Sequence, residues 1–307
     1  MMCARRESST KLYDTYTRRW QVYCNLHHLD FIYASVANGL GFLQTLLDSG
    51  LGYSTLNTAR SALSAVLCIP AGGTFGNHPD VILFMKGVFN LRPTRPRYIS
   101  TWDPTQVLRF LESWTPASEL AIEKLTMKVI LLVLLVTGQR PQILHSLDLA
   151  HMKKGKDFFE FVLALTELKQ GRCNYRPGTF VLRHYPSNKR LCVFHYLEVY
   201  ISRTAVNRKD CNKMFITVKK PYKAASQSSI SRWIKSALQS AGVDTSTFTA
   251  GSTRAATASK AKEQGAPVSQ IMDMGGWTQE STFTRYYDKP ILPAPIADRI
   301  LRSTEDV

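Results

Sequence analysis

Residues 252–282 read STRAATASKAKEQGAPVSQIMDMGGWTQEST, and the chain continues FTRYYDKP to residue 290. The alanine-rich run after Thr253 predicts a tightly packed helix, with Arg254 in its first turn and Ser252 or Thr249 able to cap it. A helix N-terminus favours an anion, and an arginine there adds to that preference. Gly275 and Gly276 predict a turn that presents Trp277, whose indole N–H can donate to a phosphoryl oxygen. A second helix then carries Tyr286 and Tyr287 and ends before Pro290. Neighbours on a helix point about 100° apart. One tyrosine can therefore face a given phosphate while the other packs into the core.

Working outward, TGQRPQILHSLDL contains Arg140 two residues after Gly138, where the apolar helix ending in VILLVLLVTG stops. Between them lie two strand-like stretches, DFFEFVLAL (157–165) and GTFVLRHYP (178–186). The segment joining them, TELKQGRCNYRP, carries Lys169 in a hairpin, where a mobile loop could bring a proton donor onto a phosphate.

Residues 12–90 show apolar spacing of three and four, which predicts helices over 18–28, 31–50, 55–69 and 78–91. The stretch RPTRPRYISTWDP (92–104), with three prolines and few apolar residues, reads as an extended linker whose Arg92, Arg95 and Arg97 could track a phosphate backbone. Beyond it, helices are expected over 104–114, 117–138, 193–205 and 228–242, before the two closing helices. The chain thus divides into a helical domain (1–91), a linker (92–104) and a second domain (105–307). The class is mainly α with a small β-sheet or hairpin.

Lysine and arginine number 39 against 23 aspartate and glutamate, a formal net charge of +16 that points to a polyanionic partner, nucleic acid first. The longest apolar run, residues 129–136, is too short to span a bilayer. No signal peptide or lipidation motif is visible, so a membrane partner is not expected. Cys3, Cys24, Cys68, Cys173, Cys192 and Cys211 are scattered without C-x-x-C spacing, and the seven histidines form no ligand pattern. These read as thiols of a reducing compartment, with no metal and no cofactor expected.

The ordered set TGQR, a hairpin lysine, STRAATASKAKEQG, GGW and a tyrosine nine or ten residues on resembles the tyrosine recombinases, the phage-integrase, Cre and Xer family. The wording of TGQR, LCVFHYLEVYISRT and the YYDKP end is closer to recombinases of eukaryotic mobile elements, the Crypton-like and DIRS-like branches. The resemblance covers most of 105–290, and over 12–90 it is a match of layout.

It implies a two-domain C-shaped clamp, with a helical core-binding domain ahead of the catalytic one. Arg140 and Arg254 resemble the pair that grips the scissile phosphate, Lys169 the hairpin lysine, and Trp277 the position held by histidine or tryptophan. The family's histidine, three residues before the second arginine, is replaced here by Gly251. Cre-like spacing selects Tyr286 as nucleophile. The mobile-element pattern selects Tyr287, with Tyr286 in the aromatic packing slot, and is the reading preferred.

The implied partners are double-stranded DNA and further copies of the chain, a tetramer on DNA. The implied setting is the nucleus in a eukaryotic host or the nucleoid otherwise. The implied reaction is strand cleavage through a 3′-phosphotyrosine, free of metal and ATP and slowed by Gly251. A type IB topoisomerase, a DNA-binding relative that has lost catalysis, and a basic scaffold unrelated to DNA are the other readings.

Overall fold

The computed structural model describes residues 7–69, 73–94, 96–163 and 179–292. The chain forms two compact units, Met1–Arg95 and Pro96–Val307.

The first unit holds α1 (Glu7–His27), α2 (Val36–Asp48), α3 (Tyr53–Leu63) and α4 (Pro79–Leu91). Trp20, Phe42, Leu43, Leu56, Phe75 and Val81 form its core. Gly39 is required by a close approach, because the Phe75 ring lies 2.4 Å from where a Cβ would sit. α1 begins well before residue 18, because its first turns are polar and carry little apolar period. α2 starts at 36, not 31, for a local reason. The Asp30 carboxylate accepts the N–H groups of Ile32 and Tyr33 in a turn, and Ser35 with Asn38 forms a capping box. α3 stops at Leu63, and no side chain caps its start at Gly52.

The second unit is built around α6 (Ile122–Thr137), whose buried face runs from Leu125 to Leu134. Around it stand α5 (Pro104–Glu112), α7 (Pro141–Ser146), α8 (Val193–Thr204), α9 (Gln227–Ser240), α10 (Thr253–Glu263), α11 (Val268–Gly275) and α12 (Glu280–Tyr286). A three-stranded antiparallel sheet has the order β1 (Met152–Lys154), β2 (Phe158–Val162), β3 (Thr179–Arg183). Phe161 opposes Met152 on one side and Phe180 on the other. The architecture is mainly helical with a small sheet, as the sequence predicts.

The sheet has one strand more than the sequence suggests. β1 is three residues long with two exposed lysines, which protect an edge and erase any apolar alternation. α11 is likewise an element between the two expected closing helices. Among the described residues, no helix is long and apolar enough to cross a membrane.

The expected linker is partly structural. The Arg92 Nη1 donates to the carbonyls of Leu47 and Leu51, both at 2.9 Å, so this end of the guanidinium closes α2 and the turn after it. Residues 98–102 are already part of the second unit and tie its start to the entry of α10. The Tyr98 hydroxyl lies 2.7 Å from Thr249 Oγ1, and the Trp102 indole donates to Ser252 Oγ at 2.9 Å. Arg97 is exposed, with its guanidinium 5.6 Å from the Tyr98 ring centre. Arg95 lies outside the described residues.

Candidate active site

α6 ends where Gly138 adopts a left-handed conformation, φ 58°, ψ 17°. A side chain there would be strained by the backbone and would also meet Met274 Cε at 2.9 Å. The turn sets Arg140 at the entry of α7, with Pro141 as its first helical residue. It also frees the Gly138 carbonyl, which accepts a 2.8 Å hydrogen bond from Arg254 Nη1.

Arg254 comes from α10, which is buried along Thr253–Ser259 because small side chains let it pack against α6 and α11. The expected side-chain cap is not used. Ser252 Oγ donates back to the Thr249 carbonyl, and a short 3₁₀ turn (Ala250–Ser252) leads directly into the helix. That turn is tied to Tyr98 and Trp102, so the entry to α10 is braced by the start of the unit.

Arg254 is 2 % exposed. Its Nε and Nη2 have no hydrogen-bond partner. Burial lowers its pKa to about 10, the Arg140 charge pushes in the same direction, and Tyr287 opposes both. It remains a cation at neutral pH, desolvated and beside a second cation. A buried charge with unused donors is costly unless an anion meets it.

Trp277 is presented by the Gly276 turn, itself left-handed at φ 70°. Its ring centre lies 3.7 Å from the Arg254 guanidinium carbon and 4.8 Å from the Tyr287 ring centre. It is thus a platform beneath the arginine. The indole N–H is buried without a partner and does not line the open pocket.

α12 ends at Tyr286, and Tyr287 closes it by donating its backbone N–H to Phe283. Tyr287 turns inward, with Arg254 5.0 Å from its ring centre. Tyr286 is 46 % exposed and carries Arg285 over its ring, so it does not occupy the expected packing slot. Ser259 Oγ donates to the Tyr287 carbonyl and accepts the Lys289 N–H, both at 3.0 Å. Lys262 pairs with Asp288. Further on, Thr101 donates to the Pro290 carbonyl at 2.9 Å and accepts from Leu292 at 2.7 Å.

These residues surround an open concavity of about 590 Å³. Arg140, Gly251, Arg254 and Tyr287 line it together, whereas Trp277 supports it from behind and Tyr286 lies outside. Lys169 is outside the described residues. His145, on α7, faces the Ala225 carbonyl at 3.0 Å and does not line the pocket. The lining also includes residues that sequence reasoning missed: α9 contributes Ser231, Arg232 and Lys235. The signal was present in SISRWIKSAL, where Arg232 and Lys235 fall one turn apart, off the buried face of Ile230, Ile234 and Ala237. Among the described residues, no carboxylate lines this pocket. Among the described residues, no group of three His, Cys, Asp or Glu side chains could hold a metal ion.

In sequence, residues 103–290 match the phage integrase family. No curated protein matches the chain. The fold is similar to that of XerH site-specific recombinase in a pre-cleavage complex with difH substrate, with a TM-score of 0.54 at 12 % identity over 89 % of this chain and 70 % of that one. It is also similar to the Tn1549 transposon integrase in complex with circular intermediate DNA, with a TM-score of 0.51 at 14 % identity over 89 % of this chain and 85 % of that one. At these identities the structures speak for the fold, while the sequence match spans more than half of the chain. With the ordered motif and the family match falling on the same residues, the chain belongs to the phage integrase family, the tyrosine recombinases.

Proposed function

We propose that the protein is a site-specific DNA recombinase or integrase that cuts and rejoins duplex DNA through a tyrosyl phosphodiester, in the service of a mobile element. The observation that carries this reading is the buried, incompletely bonded Arg254 beside Arg140 and Tyr287. A phosphodiester placed there meets both guanidiniums, Arg254 already held in place and Arg140 beside it, and charge-assisted hydrogen bonds of this kind are the strong ones.

In the reaction, the Tyr287 oxygen attacks phosphorus and the bond to the 5′ oxygen breaks. The phenolic proton is lost to solvent and a proton is delivered to the leaving 5′ oxygen, making it a hydroxyl, a role assigned to Lys169. The bond energy is kept in the phosphotyrosine, so a second strand's 5′-hydroxyl reverses the step without ATP. Trp277 holds Arg254 in place. The XerH and Tn1549 proteins are named in complexes with DNA substrates, which supports duplex DNA as the partner here. Exchange between two duplexes calls for several copies of the chain, a tetramer on DNA.

The test is incubation with a nicked suicide duplex, read as a covalent protein–DNA band under denaturing conditions. Gly251 favours one second reading, a DNA-binding relative without cleavage. DNA binding with no covalent band under any condition would establish that reading instead.

A further inference from the structure

Gly251 lines the pocket without a side chain, and nothing local requires glycine there. Its backbone is outside the left-handed region, and an added Cβ would meet only Thr249 Oγ1, at an ordinary 3.9 Å. The place of the family's histidine is therefore open space facing the phosphate site.

α9 packs against the turn that contains Gly251 and lines the same concavity. The buried residues Ile230, Ile234 and Ala237 fix its rotation, which leaves Arg232 and Lys235 exposed on the pocket side. Arg232 Nη2 is drawn along its own helix by Ser229 Oγ at 3.3 Å. Lys235 has no hydrogen-bond or ion-pair partner among the described residues, and no carboxylate lines the pocket to hold it. A lysine is a point charge on a flexible four-carbon stem with three donors, suited to reaching a phosphate anywhere in such a concavity.

We propose that Lys235 is a further catalytic residue, whose ammonium donates to a non-bridging oxygen of the scissile phosphate in place of the side chain missing at Gly251. The assignment rests on the recombinase reading above. It predicts that residues 235 and 251 compete for one task, which a merely basic surface would not do.

The experiment measures single-turnover adduct formation on the nicked duplex with a double-mutant cycle. Lys235→Ala is expected to slow the adduct about 10-fold, less than the roughly 10²–10³-fold cost of a preorganised donor because the lysine is flexible, and Lys235→Arg to restore most of the rate. Gly251→His should speed Lys235→Ala strongly and the unmodified chain only slightly. A second arm replaces the bridging 5′ oxygen with sulfur, a leaving group that needs no proton. Lys235→Ala should remain slow on that substrate.

Three results overturn the assignment while the recombinase reading stands: an unslowed Lys235→Ala, an equal cost of Lys235→Ala in the glycine and histidine backgrounds, or rescue by sulfur. The last would make Lys235 a proton donor to the leaving group. If the unmodified chain forms no adduct at all, the recombinase reading falls and this assignment with it.

Discussion

The Arg254 guanidinium carbon lies 3.7 Å from the centre of the Trp277 ring, and one Nη donates to the Gly138 carbonyl. The arginine is held by a π face and a peptide dipole, while Nε and the second Nη are buried without a hydrogen-bond partner.

This support makes Trp277 and Arg254 a unit. Trp277→Ala should lower Tm strongly, since truncating a buried aromatic costs about 3–5 kcal/mol, and should slow the covalent adduct as well. Trp277→Phe keeps a ring face and should lose less of both. Arg254→Lys should fail nearly as badly as Arg254→Ala in adduct formation, because a lysine cannot hold the Gly138 carbonyl and present a planar fork together. Thermal melts and single-turnover kinetics on one set of proteins check this. A fast Arg254→Lys would show that charge alone suffices.

The two tyrosines should separate cleanly. Tyr287 lines the pocket and Tyr286 is in solvent. Tyr287→Phe should abolish the covalent DNA band and leave DNA binding intact. Tyr286→Phe should change the band by no more than about twofold, as a surface substitution away from packing does little. The reverse pattern would move the nucleophile to Tyr286.

DNA binding should be steeply salt-dependent. Residues 1–100 hold 10 lysines and arginines against 5 acidic residues, and the remainder hold 29 against 18, so both units are basic. A surface neutralising six to ten phosphates loses about 10³–10⁵ in affinity between about 50 and 200 mM salt. Fluorescence anisotropy on a duplex, repeated over that range, gives the slope. A flat curve would speak against an electrostatic DNA surface.

Stability should rise with pH above neutrality. Lys128 on α6 is fully buried, donates to the Leu111 and Trp114 carbonyls at 2.6 and 2.7 Å, and lies 3.8 Å from the Tyr196 ring centre. Burial lowers its pKa to about 7 from an ordinary 10.5. The unfolded chain therefore holds this proton between those values and the folded chain does not. The folded state is penalised below about pH 7, and the penalty lifts as pH rises, at up to about 1.4 kcal/mol per pH unit. Denaturant titrations at pH 7 and pH 9 should differ accordingly, and Lys128→Met should remove the difference from this source.

The sequence marks some of these elements and hides others for physical reasons. The helix of Arg254 and the GGW turn were legible because alanine packing and left-handed glycines leave strong local marks. The capping at Ser252 was misread, since its hydroxyl is committed to Thr249 and Trp102, a contact that spans 150 residues. The function of Trp277 as a platform and the cationic wall on α9 were hidden for the same reason. Both depend on which elements meet, and a basic residue on an amphipathic helix looks alike whether it faces water or a phosphate. The inward turn of Tyr287 depends on how α12 ends, which two adjacent identical residues do not reveal.

The short pairing of Thr101 with residues 290–292 has a mechanical consequence. A pull on the chain beyond Leu292 meets those two hydrogen bonds first, then the Lys262–Asp288 pair and the Ser259 hydroxyl, and only afterwards the tyrosine. The arrangement works as a cable clamp does at a terminal. Tugging at the lead is taken up by the housing, and the contact inside stays seated.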